Sequence, residues 1–473
     1  MKISRRGFIR AAAASLGAAS FSPRSVFSAA TRPRILRAAS LEQAIRPGGP
    51  RANFWGFNGT VPGPVLRFRK GETVRLMLQN ALATETAIHW HGVRVPNSMD
   101  GVPFVTQNPV RSGEQFAYEF TVPDSGTFWY HPHQSSFEQV PRGLYGALIV
   151  EEERPIEVDR EWVWVLSDVR LGDDGRQVED FGRILDFAND GRIGNQVLLN
   201  GKAAGGDHSV EVRSGERIRL RLINAAAARI FQLEMPGHEM KVIALDGQAV
   251  EPHVVDSLTL GPGMRTDLVL DCLQSPGTRH LIKDVNRCSV GPIAEIAYRQ
   301  GRPLREKASS ASIRLASNAL PEPDLGRATE HHIMFQGGMR GAPVIGIVDG
   351  KPAKTHELME QHGLAWTMNF TARHEHSLMH EPFLNLRVGE HVTLKMINET
   401  DFVHPMHLHG HFFRVVAVDG KRQVLQPWRD TVLMAPRQTI DVAFVADNPG
   451  EWMFHCHILD HAAGGMMGTI QVG

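Results

Sequence analysis

The ten residues GETVRLMLQN, from Gly71 to Asn80, occur twice more in closely related form, as GERIRLRLIN from Gly215 and as GEHVTLKMIN from Gly389. Each copy alternates apolar and polar side chains with the two-residue period of a strand that buries one face. A pattern that is repeated three times at wide spacing indicates three related structural units.

A second pattern aligns on its glycine in the same three units, as DSGTFWYHPH from Asp124, SPGTRHLIKD from Ser275 and NPGEWMFHCH from Asn448. The rest of the 473-residue chain contains short alternating segments bounded by Gly, Pro, Asn and Asp, and few long amphipathic helical patterns. We therefore predict an all-β protein of three β-sandwich domains with Greek-key connections. The predicted domains span residues 40–155, 160–305 and 325–473.

Composition narrows the classes of function. Basic and acidic residues each number 51, and a net charge of zero gives no argument for nucleic-acid binding. Only three cysteines are present, which excludes a disulfide-rich scaffold. Cys272 and Cys288 are either unpaired thiols or an optional disulfide, whereas Cys456 lies between two histidines. The chain has 23 histidines, so histidine is the residue type that needs an explanation.

The first thirty residues differ from the rest. A basic start, MKISRRGFIR, precedes the small and apolar stretch AAAASLGAASF, which is typical of a cleavable export signal over residues 1–30. The segment SRRGF resembles a twin-arginine signal; a chance arginine pair in an ordinary secretory signal is the alternative. The apolar stretch is shorter than the roughly 20 residues of a spanning helix, so no membrane anchor is expected. We predict a periplasmic protein exported by the twin-arginine machinery.

The histidines of the first and third units form four His-x-His pairs at equivalent places. The pairs are His89 and His91 in HWHG, His131 and His133 in HPH, His407 and His409 in HPMHLHGH, and His455 and His457 in HCH. Side chains two residues apart on a strand share a face and lie roughly 6 to 7 Å apart, so each pair can serve two metal ions of one cluster. Eight histidines from two domains that pack together suit a multinuclear copper site.

The middle unit serves as an internal control. Phe231, Glu234 and Pro236 stand against His404, His407 and His409, and Ile282 and Asp284 stand where the late strands of the other two units have histidines. The scaffold therefore does not require histidine at these positions, which favours a metal site over core packing as the explanation of the four pairs.

Three other histidines are placed outside the site. His411 has a histidine counterpart, His238, in the middle unit, and His374 and His376 in the segment HEH have no partner pair in the repeats.

Cys456 points to the opposite face of its strand from His455 and His457, because side chains alternate along a strand. His461 and Met466 follow it closely, and Gly464 and Gly465 between them allow the chain to turn back. A thiolate, two imidazoles and a weak methionine are the donors of a blue-copper site, and His404 supplies the second imidazole. The first unit has Pro132 in place of the cysteine, which predicts one such site. A structural zinc site is the weaker alternative, since it has one thiolate and too many histidines.

The motifs HWHG, HPH, HPMHLHG and HCHILDHAAGGMM, in this order over three repeats, resemble those of the three-domain multicopper oxidases, which include laccases, bacterial cuprous oxidases and bilirubin oxidases. The resemblance implies a cupredoxin fold in each domain and four copper ions between the first and third. It implies a type 1 copper bound by His404, Cys456, His461 and an axial Met466. It implies a type 2 copper bound by His89 and His407, and a type 3 pair bound by His91, His131, His133, His409, His455 and His457. Spacing alone selects the same histidines but does not distinguish type 2 from type 3.

The implied reaction is a series of one-electron oxidations at the type 1 copper, with electrons passing from Cys456 through His455 and His457 to the cluster, where dioxygen becomes water. Asp100 lies nine residues beyond His91, where relatives keep a carboxylate near the oxygen path; an exposed loop aspartate is the alternative. Many relatives carry glutamate directly after the second type 1 histidine. This chain has Ala462 there, and Asp460 is considered as a substitute.

The reductant is the least determined part. Relatives with these ligands oxidise phenols, bilirubin or Cu(I), so the expected partners are dioxygen and a small phenolic, organic or Cu(I) reductant. The stretch from His356 to His380 contains five histidines and three methionines, which either suit Cu(I) or form a linker with ordinary core methionines. Against Cu(I), Phe402 stands two residues before His404, where the best-matched cuprous oxidases have methionine.

Two other functions are weighed. One is a non-catalytic periplasmic protein of the same fold, similar to division-associated relatives that have lost their copper ligands; the complete donor set opposes it. The other is a copper nitrite reductase, for which two domains without the four-pair cluster are expected.

Overall fold

A computed structural model describes residues 33–205, 208–286, 291–377 and 381–473, except the side chain of His376. The predicted export signal and Cys288 lie outside the described residues. Of the described residues, 47% lie in strands and 6% in helices, so the all-β prediction is confirmed. No helix in the described ranges is long and apolar enough to cross a membrane.

Eight strands build the first two sheets. They are β1 (Arg34–Ala44), β2 (Arg51–Phe57), β3 (Leu66–Arg69), β4 (Thr73–Asn80), β5 (His89–His91), β6 (Gln115–Thr121), β7 (Gly126–His131) and β8 (Gly146–Glu151). One sheet has the order β2-β1-β4-β6 and the other the order β3-β8-β7-β5.

Twelve strands follow in the part of the middle unit that the structure describes. They are β9 (Arg160–Val169), β10 (Gln196–Leu199), β11 (Lys202–Ala203), β12 (Ser209–Val212), β13 (Glu216–Asn224), β14 (Phe231–Glu234), β15 (Met240–Leu245), β16 (Gln248–Val255), β17 (Leu258–Leu260), β18 (Arg265–Cys272), β19 (Arg279–Asp284) and β20 (Pro292–Tyr298). Their sheets have the orders β11-β10-β9-β13-β18-β15-β16 and β12-β20-β19-β14-β17.

The described residues of the last third of the chain form fourteen strands. They are β21 (Thr329–Gly337), β22 (Ile345–Val348), β23 (Lys351–Lys354), β24 (Trp366–Met368), β25 (Leu384–Leu386), β26 (Glu390–Asn398), β27 (His404–Leu408), β28 (Phe413–Val418), β29 (Lys421–Arg422), β30 (Trp428–Arg429), β31 (Thr431–Met434), β32 (Thr439–Ala446), β33 (Gly450–Cys456) and β34 (Met467–Val472). The main sheets have the orders β24-β21-β26-β32-β28-β29, with β30 beside β28, and β25-β34-β33-β27-β31. Strands β22 and β23 form a separate hairpin.

Helices are few and short within the described ranges. They are α1 (Ser136–Gln139), α2 (Ile184–Ala188), α3 (Thr355–His362) and α4 (Leu459–Ala463), together with 3-10 turns at Asn97–Met99 and Glu375–Ser377.

The repeated strand occupies the same place in each unit. Strands β4, β13 and β26 each pair in parallel with the first strand of their unit and antiparallel with a later one, β6, β18 or β32. The apolar positions that the alternation assigns to a core are fully buried in all three copies. These positions are Val74, Leu76, Leu78, Ile218, Leu220, Leu222, Val392, Leu394 and Met396.

The polar face of the middle copy is also buried, which the alternation did not predict. Arg219 and Arg221 of β13 are 2% and 1% exposed. Their guanidinium groups pair with Glu152, which follows β8 of the first unit, and with Asp267 of β18. The face that would meet solvent in an isolated sandwich therefore meets the first unit, and paired charges make that burial tolerable.

Candidate metal centres

A mononuclear centre forms where β33 ends. Cys456 Sγ lies 3.6 Å from His404 Nδ1 and 3.7 Å from His461 Nδ1, and the two nitrogens are 3.1 Å apart. All three residues are fully buried. His404 begins β27, and α4 directly after β33 brings His461 back beside the cysteine. The residues predicted from the sequence thus converge as a thiol and two imidazoles that face one point, a donor set typical of copper.

Both imidazoles are held by their outer nitrogens. His404 Nε2 donates to Thr400 Oγ1 at 2.8 Å, and His461 Nε2 donates to the Asn189 carbonyl oxygen at 2.5 Å. Each bond leaves Nδ1 free to face the sulfur. Burial lowers the pKa of His461 to about 3 and raises the pKa of the Cys456 thiol. The imidazoles are therefore neutral, as metal ligands must be, and a thiol buried in this way ionises when a cation balances its charge.

Met466 lies on the return path after α4. It is fully buried in the same core as Cys456, and its carbonyl oxygen accepts a hydrogen bond from the Cys456 N–H at 3.1 Å. Its axial role stays a prediction, because this contact positions its backbone rather than its sulfur.

The other eight histidines meet between the first and third units. Strand pairing aligns them, since His89 stands opposite His131 in β5 and β7, and His407 stands opposite His455 in β27 and β33. Rings from the two units then stack, with centres 3.8 Å apart for His89 on His409 and for His91 on His407. None of the eight is more than 3% exposed.

Some ring nitrogens of these histidines have a hydrogen-bond partner and others have none. Five of the rings are held through Nδ1 by a carbonyl or carboxylate oxygen, namely His89, His131, His407, His409 and His455. Three Nε2 atoms of this group, those of His89, His131 and His407, are buried with no hydrogen-bond partner in the described structure. Both ring nitrogens of His457 are in the same situation. Buried polar atoms are rarely left unpaired, and here a bound cation would satisfy them.

One triad is especially tight. His455 Nε2 lies 3.1 Å from His409 Nε2 and 3.3 Å from His133 Nε2. Burial lowers the pKa of His133 and His409 far below the usual value and that of His455 to about 4, and neighbouring imidazoles add to the effect. Uncharged rings at this separation can share one metal ion.

Asp100 is a buried residue of this cluster rather than an exposed loop aspartate. It is 1% exposed, and its Oδ2 accepts from His409 Nδ1 at 2.8 Å. Its carbonyl oxygen accepts from His89 Nδ1 at 2.9 Å, and its Oδ1 lies 3.2 Å from the same nitrogen. The residue therefore orients one histidine from each unit.

Asp430 and Thr431 are close to the cluster and were not predicted. The Asp430 carbonyl oxygen accepts from His407 Nδ1 at 2.9 Å, and Thr431 Oγ1 lies 3.1 Å from the same nitrogen. Burial raises the pKa of Asp430 to about 6, against the opposing charge of Arg265. The segment WRDTV carries no histidine and no repeat of the chain marks it, so the sequence offered no signal for this role.

The position directly after His461, where many relatives carry glutamate, has apolar surroundings in this chain. Ala462 packs with Val102, Met453 and Met467 in a small buried cluster. Asp460, the considered substitute, turns to the middle unit, where its Oδ2 accepts from the Arg192 backbone N–H at 2.8 Å. Another carboxylate was missed: Glu375 accepts from the backbone N–H of Ser135, two residues after His133, at 3.3 Å, and burial raises its pKa to about 7.

The residues left outside the site have other partners. His411 is buried, but both of its ring nitrogens meet the backbone, at the His409 oxygen and the Asn448 nitrogen. His374 precedes the 3-10 turn at Glu375–Ser377. In the histidine- and methionine-rich stretch, Met368 is a core residue and Met359 packs against that core. Two of its three methionines are thus structural, while Met379 lies outside the described residues.

The chain is similar to known protein families and to characterised relatives along most of its length. Three segments, residues 39–155, 172–286 and 349–473, match family models described as multicopper oxidase. The multicopper oxidase MmcO of Mycobacterium tuberculosis is 29% identical over 98% of this chain and 96% of its own. Copper resistance protein A of Escherichia coli is 27% identical over 100% of this chain and 99% of its own.

Solved structures of similar proteins also match the chain over most of its length. The multi-copper oxidase from Pseudomonas thermotolerans is similar with a TM-score of 0.81 and 32% identity, covering 94% of this chain and 100% of that one. Lac15 from a marine microbial metagenome has a TM-score of 0.72 and 34% identity, covering 93% of this chain and 100% of that one. The predicted class of three cupredoxin-like sandwiches is confirmed by these likenesses.

Proposed function

The chain belongs to the multicopper oxidase family, and from that premise we propose that it couples one-electron oxidation of a reductant at a type 1 copper to the four-electron reduction of dioxygen to water at a trinuclear copper cluster. The observation that carries the proposal is the position of β33 between two centres. Cys456 faces His404 and His461, whereas His455 on the same strand faces His133 and His409.

The donors divide among four coppers. The type 1 ion is assigned to His404, Cys456 and His461, with Met466 as the axial donor, and the type 2 ion to His89 and His407. The type 3 pair is assigned to His91, His131, His133, His409, His455 and His457. The short distances between the Nε2 atoms of His133, His409 and His455 support one half of the pair. The unpartnered Nε2 atoms of His89 and His407 leave both rings able to bind a metal, and their division from the type 3 ligands follows the family resemblance.

Copper held by these donors would supply one-electron storage and the reduction of dioxygen. The chain supplies the path between the centres, because Cys456 is covalently joined to His455 and to His457, so that each path runs through bonds of the chain. Asp100 bridges His89 and His409, and it is the carboxylate that we assign to proton delivery. The buried rings exclude water from the site and hold the donors in place before a metal binds.

Electrons are proposed to enter at the outer edge of His461. That edge meets the Asn189 carbonyl, and Asn189 Nδ2 donates to the sulfur of the exposed Met339 at 3.3 Å. Trp366 and Phe402 lie beside the ring, with centres 4.4 and 6.2 Å from it. We propose a small one-electron donor, either a phenol-like organic or Cu(I). The aromatic surroundings favour the former; the exposed thioether, and relatives named for copper resistance, favour the latter and a role in copper tolerance.

The place of action is proposed from residues 1–30. A twin-arginine signal exports folded protein, which fits an enzyme that carries metal, and the periplasm is the expected destination. The complete donor set speaks against a non-catalytic relative of this fold, and three matching units speak against a two-domain nitrite reductase.

The test is oxygen uptake by the copper-reconstituted protein with Cu(I) and, separately, with dimethoxyphenol. Uptake with one donor in clear preference identifies the reductant class. Absence of uptake with both donors, together with absence of blue colour, would contradict the oxidase assignment.

A further inference from the structure

One ring of the eight-histidine cluster is held in the reverse orientation. Five rings are anchored through Nδ1, with Nε2 toward the cluster. His91 is anchored through Nε2, which lies 3.3 Å from Asp430 Oδ1 and 3.3 Å from Thr431 Oγ1. Its Nδ1 is buried and unpartnered. A carboxylate only accepts, so Asp430 fixes the proton on Nε2 and leaves the Nδ1 lone pair for a metal.

The carboxylate that sets this tautomer is itself fixed from the middle unit. Arg265 begins β18, and its Nη1 and Nη2 donate to Asp430 Oδ1 and Oδ2 at 2.7 and 2.6 Å. The two side chains are 0% and 1% exposed. Such a bidentate pair fixes the plane of the carboxylate as well as its charge.

The remaining donors of Arg265 are also used. Nε donates to the Thr127 carbonyl oxygen of the first unit at 3.2 Å. Nη1 and Nη2 donate also to the carbonyl oxygens of Gly263 and Asp246, at 3.1 and 2.9 Å. All five N–H groups of the guanidinium therefore have acceptors, and these come from all three units. Lysine has three donors on one atom and cannot reproduce this arrangement.

Gly92, the residue directly after His91, is an independent sign that the pair belongs to this site. A Cβ at Gly92 would lie 2.3 Å from Arg265 Nη2 and 2.6 Å from Asp430 Oδ2, and its φ of +83° is unfavourable for other residues. The glycine of the HWHG motif is thus required by the ion pair that orients the histidine before it.

We propose that Arg265, from the unit that contributes no predicted copper ligand, is a positioning residue of the trinuclear cluster. It holds the Asp430 carboxylate so that His91 presents Nδ1. The middle unit then has a part in metal binding besides its part in the scaffold. The inference rests on the proposed copper assignment.

The test compares Arg265→Met and Arg265→Lys with Arg217→Met and Arg217→Lys. Arg217 of β13 is a matched control, because it forms a buried bidentate pair with Asp271. Asp271 lies on β18, as Arg265 does, but away from the predicted ligands. Three quantities are measured: blue absorption per chain, copper bound per chain, and the tautomer of His91 in copper-free protein by side-chain ¹⁵N NMR, assigned with His91→Gln.

Both Arg265 variants should keep the blue absorption but bind less copper per chain, with oxygen reduction lowered by roughly 10- to 100-fold, and should show His91 as a mixture of tautomers. The Arg217 variants should match the wild type. Wild-type copper content and a single His91 tautomer in Arg265→Met would overturn the inference. If that variant does not fold, a folded Arg265→Lys decides in the same way. A wild-type chain that takes up no blue copper would refute the proposed function instead, while the NMR comparison in copper-free protein still tests the role of Arg265.

Discussion

At the residue scale, the chemistry depends on one cysteine between two histidines. Cys456 points to one side of β33 and its neighbours to the other, which follows from strand alternation and was predicted from sequence. The sequence could not predict what orients the rings. Asp430 and Thr431 reach His91 across 339 and 340 positions of the chain, and Arg265 reaches Asp430 across 165. Contacts at such separations leave no local pattern in the sequence.

Replacement of the cysteine separates the two centres. Cys456→Ser should lose the blue absorption and the turnover, because serine is a poor copper donor at this geometry, while the trinuclear coppers are largely retained. Absorption spectroscopy and metal analysis measure the two effects. Cys272→Ser is the control, since that thiol is buried in the middle core, and it should keep its colour. An unchanged colour in Cys456→Ser would refute the assignment.

Glu375 should make the stability of copper-free protein depend on pH. Burial raises its pKa from 4.5 to about 7, so the folded state holds the proton more tightly than the unfolded chain. The favourable contribution is complete below about pH 4.5 and is lost as the pH rises through 7, a change of at most about 3 kcal/mol. Denaturant unfolding from pH 4.5 to 8 should show this loss in the wild type and in Glu360→Gln, which changes an exposed glutamate. Glu375→Gln should lack it, and parallel curves for all three proteins would contradict the expectation.

At the element scale, the repeated strand ends with an asparagine that makes the same hydrogen bonds in all three units. Its final asparagine does the same work in every copy: the Nδ2 atoms of Asn80, Asn224 and Asn398 each donate to two carbonyl oxygens, and each Oδ1 accepts the backbone N–H two residues on. In the third copy this holds the loop that leads to His404. The pattern identified the strands, but the buried arginines of β13 show that alternation does not tell which polar face meets solvent.

Asn398→Ala and Asn224→Ala form a matched pair. Each removes the same buried bonds, so each should lower the free energy of unfolding by about 1 to 3 kcal/mol. Only Asn398→Ala should also alter the blue spectrum, because its loop precedes a type 1 ligand. Denaturant titration and absorption spectra check both statements. A spectrum altered equally in the two variants would mean that the loop has no specific link to the copper.

At the scale of the whole molecule, the cluster lies on the interface between the first and third units, and the middle unit supports it through Arg265. The three units and the four histidine pairs were predictable because copies of a repeat within one sequence can be aligned with each other. The packing of the units was not, since it depends on paired charges such as Arg219 with Glu152 that no repeat encodes.

Removal of copper should therefore lower the melting temperature. Metal bound by residues of two units stabilises the native arrangement by mass action, and that stabilisation disappears on chelation. Scanning calorimetry of loaded and chelated protein at one pH measures the difference, and chelated protein reloaded with copper is the control. Equal melting temperatures would contradict a metal site shared between units.

The central claim is that electrons from one entry site reduce dioxygen fully to water. The most direct measurement is the ratio of one-electron donor oxidised to dioxygen consumed by the copper-reconstituted protein, with hydrogen peroxide assayed in the same sample. We expect four donor molecules to be oxidised per dioxygen and no hydrogen peroxide to be released. A ratio of two with stoichiometric peroxide, or copper-loaded blue protein that oxidises the donor without consuming dioxygen, would contradict it.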